Sequence, residues 1–282
     1  MNDYPFAGVR VVTLAPNLPG PAAAQRMVRL GASVVKVEPP AGDPVAQYAP
    51  DYYRELAAGQ DVRTIDIRSE DGHRDLASLL AEADLLITSS RPRSLVKLGL
   101  AWEDLHVTHP RLCQIAIVGY PGDQVDRAGH DLTYQAEAGT LTPPQLPSIP
   151  MADLAGAERV VGDAAALLFC AARTGEGSYR EVSLSQVVED FSASVSHGLS
   201  GPGTVLGGEF PGYGLYRASD GWLALAALEP HFLTRLGELL GVDPMDRGDL
   251  ERVFAGHPVE DWVQWAEDHD VPLTEVKKAG VQ

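Results

Sequence analysis

The chain has 282 residues, of which 45% are hydrophobic and 22% charged, and its formal net charge is −17. That length accommodates two domains, or one large domain with a satellite. The acidic balance argues against sequence-independent binding to nucleic acid or to an anionic membrane, both of which need a basic surface.

Residues 9–14 (VRVVTL) form a β-branched run and predict a first strand. Pro19-Gly20-Pro21 punctuates it, and residues 22–30 predict a helix closed by Gly31. Residues 33–38 and 62–67 read as the second and third strands. Residues 70–83 form an amphipathic helix that leads into a fourth strand at 85–88, and residues 112–118 give a fifth. Apolar strands alternating with helices indicate an α/β fold with a mostly parallel sheet. A short helix is expected over 131–139, then a loop with four prolines over 142–150. A long apolar helix follows over 154–173 with Asp153 at its N-cap. Residues 179–183 predict a strand and 184–198 a helix. The glycine-rich stretch 200–208 (SGPGTVLGG) reads as a linker. The expected organisation is therefore a large domain over 1–199 and a smaller α+β domain over 209–282. The latter holds a strand at 222–228 and helices at 229–240 and 258–268.

Cys113 and Cys170 are too few for a disulfide framework, and both lie in apolar runs that predict buried thiols. The opening MNDYPFAGVR lacks the apolar core of a secretory signal, and no apolar stretch approaches membrane-spanning length. The expected location is the cytoplasm, with no membrane and no nucleic-acid partner.

The stretch from Ala128 to Gly156 carries the chemistry. His130 follows a glycine at a helix start and could serve as a general base near neutral pH. Asp153, at the positive end of the long helix, could exchange a proton with that imidazole across a substrate carbon, or act as a nucleophile. Asp131 reads as a cap or local partner. Glu229, at a strand end, could orient an imidazole. Arg91, just after the fourth strand, suits ligand contact in an open α/β sheet. His106 and His109 sit in a segment read as a loop (HVTHPR) without a third metal ligand, so no metal site is expected.

Several stretches carry a resemblance: GVRVVTLAPNLPGPAAAQRMVRLGASVVKVEPP, RPRSLVKLGLAWEDLHVTHPRL, RAGHDLTYQAEAG, MADLAGA, RTGEGSYREVSL and GLYRASDGWLALAALEPHF. In this order the chain resembles the family III CoA-transferases (the CaiB/BaiF type), and within them most closely the α-methylacyl-CoA racemases. The resemblance implies a Rossmann-like large domain, a small domain and an interlocked homodimer. It implies acyl-CoA thioesters as substrates and no covalently bound cofactor. In racemase-like members the Gly-His-Asp histidine and the Asp-x-x-Gly aspartate move the α-proton; these fall on His130 and Asp153, with Glu229 supporting the histidine. An enolate oxygen would be held by backbone N–H groups near Asp153–Ala155. In transferase members the same aspartate forms an acyl anhydride and the histidine is usually missing, so His130 favours racemisation of a 2-methylacyl-CoA, with CoA transfer as the alternative. CoA contacts are expected from Arg91, Arg63, Lys36 and Ala155. The chain departs from the family pattern at residues 58–63, where only Arg63 is basic, and at Glu38-Pro39-Pro40, which lacks the usual arginine. Its second domain is also short against the family, ending at Gln282. These departures motivate a third reading: a non-catalytic member, or a partner subunit of a longer homologous chain.

Overall fold

The computed structural model describes residues 4–277. Two compact units divide after Ser192, ahead of the expected boundary at 199. The first unit contains β1 (Arg10–Thr13), α1 (Pro19–Arg29), β2 (Ser33–Glu38), α2 (Val45–Tyr48), α3 (Pro50–Ala57), β3 (Asp61–Thr64) and α4 (Glu70–Glu82). It continues with β4 (Leu85–Thr88), α5 (Pro92–Lys97), α6 (Trp102–Thr108), β5 (Cys113–Val118), α7 (Asp131–Glu137), α8 (Met151–Thr174), β6 (Tyr179–Ser183) and α9 (Leu184–Phe191).

All six strands pair in parallel, in the order β3-β2-β1-β4-β5-β6. The two-residue side-chain period distributes the sheet between two cores. Val11, Leu85, Ile87 and Ile115 face α1, α8 and α9 through Ala24, Met27, Val160 and Val188. Val12, Leu86 and Val37 face the other way, onto Leu76 and Leu80 of α4, Leu95 of α5 and Leu105 of α6. β4 and β5 are buried along their whole length, whereas β3 is exposed throughout, as an edge strand can be.

Three local expectations change. Residues 106–111 are not all loop: His106 lies on α6, its ring stacked 4.6 Å from Trp102. Cys113 is buried, but Cys170 is exposed. Beyond Ala164 only Leu167, Leu168 and Ala171 of α8 still pack against the core, and Cys170 is turned away from it. Residues 184–198 do not form one helix. α9 stops at Phe191, where the Ser192 hydroxyl donates to the Glu189 carbonyl (3.0 Å) and competes with backbone pairing.

The second unit contains α10 (Ala193–Ser196), β7 (Tyr213–Arg217), β8 (Trp222–Ala226), α11 (Pro230–Leu240), α12 (Arg247–Phe254), α13 (Val259–His269) and β9 (Leu273–Glu275). Its three strands are antiparallel, in the order β7-β8-β9. Tyr216, Leu223, Leu236, Leu250, Phe254 and Trp262 make its core. The polar tips of its aromatics are satisfied there: Trp262 Nε1 donates to the Phe254 carbonyl (2.9 Å) and the Tyr216 hydroxyl to the Pro211 carbonyl (2.5 Å).

Candidate active site

Chain order reverses across the β1–β4 pair, which leaves a crevice at the carboxyl ends of these strands. A cavity of about 270 Å³ opens there. Pro16 and Asn17 after β1, Ser89, Ser90 and Arg91 after β4, and Gly119 after β5 line it on the sheet side. His130 and Tyr134 from α7 and Asp153 from α8 line the other side. The structure thus brings His130, Asp153 and Arg91 to one cavity.

Asp153 sits in the first turn of α8, as its third residue rather than as its cap; Pro150 occupies the N-cap. The capping acceptor comes from elsewhere: Asp131 Oδ1 accepts the Asp153 backbone N–H (3.2 Å), and Asp131 Oδ2 accepts from Gln135 Nε2 (2.6 Å). Asp131 is therefore the group that ties α7 to the start of α8. The Asp153 carboxyl itself makes no hydrogen bond or ion pair among the described residues. Burial pushes it up from the usual carboxylate range to about 6, and the neighbouring Asp131 charge adds to that push. The positive end of α8 acts in the opposite sense, but a helix terminus contributes only about 0.3–1 kcal/mol in most settings.

The backbone donors expected near Asp153–Ala155 are occupied. The Asp153 N–H goes to Asp131 and the Leu154 N–H to the Pro150 carbonyl (3.1 Å). Ala155 is the fifth residue of α8, so its N–H belongs to the helix ladder. The Ala155 N–H is thus not free to hold the oxyanion that the sequence suggested, and Ala155 does not line the cavity.

His130 is the N-cap residue of α7 and is exposed. Its backbone N–H donates to Thr133 Oγ1 (2.9 Å), which fixes the chain entry into the helix. Gly129 before it has no room for a side chain: a Cβ there would lie 2.5 Å from the Tyr134 ring and 2.9 Å from the Tyr120 ring. Those two rings meet edge to face at 5.2 Å, and the Arg127 guanidinium lies 4.2 Å over Tyr120 while pairing with Glu137.

Lys36 is only 2% exposed, and its ammonium is held between Glu38 (2.5 Å) and Asp43 (2.7 Å). It offers no cation to a ligand. Asp43 also accepts the backbone N–H groups of Asn17 (3.2 Å) and Val45 (3.0 Å), and Tyr53 donates to Glu38 (2.7 Å). This buried network fixes the β1–α1 turn, where Asn17 adopts a positive φ of 67° at the cavity edge. Arg63 lies on edge strand β3, paired with Asp61 (2.7 Å), and lines a separate surface groove with Arg10 and Glu82. Glu229 is the N-cap residue of α11 in the second unit, exposed, with its carbonyl receiving the Phe232 and Leu233 N–H groups.

A basic groove of about 970 Å³ escaped the sequence reading. Arg68, His73, Arg74, Ser94 and Lys97 line it, around the start of α4 and the end of α5. The signal was present as cations at 68, 74 and 97 in a strongly acidic chain, but only the fold gathers them. α5 links the two places, with Arg91 at its N-cap on the cavity and Lys97 at its end on the groove.

Comparison with known proteins gives a consistent picture. The sequence model of CoA-transferase family III matches residues 6–281. A succinate–glutarate CoA-transferase of Agrobacterium fabrum is 29% identical, over 91% of this chain and 72% of that protein. A cinnamoyl-CoA:phenyllactate CoA-transferase of Clostridium sporogenes is 30% identical, over 96% of this chain and 78% of its own length. Among solved structures, a CAIB/BAIF family protein from Brucella suis superposes with a TM-score of 0.81 at 25% identity, covering 96% of this chain and 84% of that one.

Proposed function

The chain belongs to CoA-transferase family III, and on that premise we propose that it moves CoA from an acyl-CoA donor to a carboxylate acceptor, with Asp153 as the nucleophile. The observation that carries this reading is a carboxyl without a partner among the described residues, facing a cavity at the switch point of the sheet. The names of the relatives favour transfer over the racemase reading.

In the proposed reaction Asp153 attacks the thioester carbonyl, the C–S bond breaks, and CoA thiolate leaves an acyl–aspartyl anhydride. CoA thiolate attacks the aspartyl carbonyl, which releases the donor carboxylate and forms an aspartyl thioester. The acceptor carboxylate attacks that thioester, and returning CoA thiolate takes the acceptor's acyl group and frees Asp153. No oxidant, metal or outside proton is needed for this exchange of bonds. The basic groove at Arg68 and Lys97 offers cations for the phosphate-bearing end of CoA.

The test is trapping. With succinyl-CoA and hydroxylamine, Asp153 is expected to become a hydroxamate, while His130→Ala transfers CoA to glutarate within a few-fold of the unmodified chain. Asp153→Asn should lower transfer on the order of 10⁴-fold or more. An active enzyme with no adduct at Asp153 sinks the proposal. Racemisation is the second reading, favoured by His130 and a carboxyl near pH 6 lining one cavity. It predicts α-proton exchange from a 2-methylacyl-CoA in heavy water that His130→Ala abolishes.

A further inference from the structure

We propose that Tyr134 is a further catalytic residue of this site: its phenol O–H donates a hydrogen bond to the carbonyl oxygen of the bound acyl group. The inference rests on the acyl-transfer reading, in which that oxygen becomes an oxyanion when Asp153 attacks.

Four observations meet at this side chain. Tyr134 lines the cavity together with Asp153 and His130, although it is only 3% exposed. Its ring is clamped, edge to face against Tyr120 and against the bare α-carbon of Gly129. A Cβ on Gly119, at the end of β5, would overlap the Tyr134 hydroxyl, so the backbone is shaped around that oxygen. The hydroxyl makes no hydrogen bond among the described residues.

The cavity has need of such a donor. A tetrahedral intermediate formed at Asp153 places negative charge on the former carbonyl oxygen, and a preorganised donor there is worth far more than the same group in water. The N–H groups of Asp153, Leu154 and Ala155 are committed to Asp131 and to the helix. Burial pushes the phenol up to about 12, so at neutral pH it remains a donor. The ring is buried but the hydroxyl oxygen reaches the cavity, where a ligand carbonyl can accept from it.

Tyr134→Phe keeps the ring and removes only the oxygen. The expected result is a kcat for succinyl-CoA to glutarate transfer lowered by about 10²–10³-fold, with KM and the thermal melting curve unchanged. A spectroscopic reading separates this proposal from the transfer reading. In the Asp153→Asn chain, succinyl-CoA labelled with ¹³C at the thioester carbonyl should bind intact. Its infrared carbonyl band should lie below the band of the same chain that also carries Tyr134→Phe. If the phenylalanine chain does not fold, 3-fluorotyrosine at position 134, a stronger donor, should move the band further down. An unchanged band, or a kcat within three-fold of the unmodified chain, overturns the role of Tyr134 while leaving Asp153 trapping untouched. A missing hydroxamate with a shifted band overturns transfer and keeps the tyrosine contact. Absence of acyl-CoA binding overturns both.

Discussion

Asp43 and Asp153 are both carboxylates close to the same crevice, and they are treated in opposite ways. Asp43 is 1% exposed, yet its oxygens are fully engaged by the Lys36 ammonium and by two backbone N–H groups. Asp153 is less buried, yet its carboxyl has no partner among the described residues and sits beside a second negative charge, Asp131. The difference shows what burial alone does not tell. A buried carboxylate with its lone pairs filled is a strut, here bracing the turn that carries Asn17. One left unfilled in a cavity is reactive, and the fold bears the cost of keeping it so.

The largest effect expected from this contrast lies on the structural side. Lys36→Met removes the only cation of the buried network and strands Glu38 and Asp43 without it. Breaking a buried pair from one side costs about 3–5 kcal/mol. Urea unfolding should show that loss at neutral pH. If Lys36→Met were neutral, the network would be solvated in solution and the contrast with Asp153 would fail.

The opposite sign is expected at Asp153. Its carboxyl is raised in the folded chain from 3.8 to about 6, so between those values the folded state binds more protons than the unfolded one. Stability from this group is therefore present below pH 4 and is lost as pH rises through about 6. Asp153→Asn removes a charge the fold disfavours. At pH 8 it should stabilise the ligand-free protein by about 1–3 kcal/mol, since a tenfold change in proton affinity corresponds to about 1.4 kcal/mol and partial solvent access reduces the total. That gain should shrink to nothing near pH 4. Thermal melts of both chains across this range give the answer. A variant that is less stable at pH 8 than the unmodified chain would place Asp153 with Asp43 among the struts.

Which parts of this were readable beforehand follows from the range of the interactions. Strands β1, β2, β4 and β5 announce themselves because they are rich in β-branched and other apolar residues, and the helices between them because glycine and proline mark their ends, as Gly31 does after α1. The pairing of His130 with Asp153 was read from two helix starts close in sequence and from the motifs of the resemblance, and both residues line the cavity. Two of the misplaced site features depend on a partner brought in by the fold. Asp153 looks like an N-cap by residue type, but the cap acceptor is Asp131, 22 positions earlier. Lys36 looks like a free cation until Asp43 is brought under it by the loop after β2. A hint was available, because Lys36 and Glu38 lie two apart on a strand and so share a face. Tyr134 was readable in the same way: it falls four residues after His130, on one side of α7.

The smallest and most discriminating effect concerns Asp131, the one group that touches both sides of the comparison. It acts as a cap through Oδ1 and as a charge that raises Asp153. Asp131→Asn keeps an oxygen for the Asp153 N–H, removes the charge and replaces the acceptor of the Gln135 Nε2 bond with an amide NH2. Because the nucleophile is the carboxylate, transfer by the unmodified chain should rise with pH through about 6 and level off above it. In Asp131→Asn the acid limb should move to lower pH, since a neighbouring negative charge is gone. The displacement should be a fraction of a pH unit, because burial, the larger cause of the raised value, is untouched. The plateau rate should hold, since the cap is retained. An acid limb that stays in place would mean that it reports a group other than Asp153. A collapse of the plateau would mean that the Asp131 charge, or its bond from Gln135, and not merely the cap oxygen, holds α7 against the start of α8.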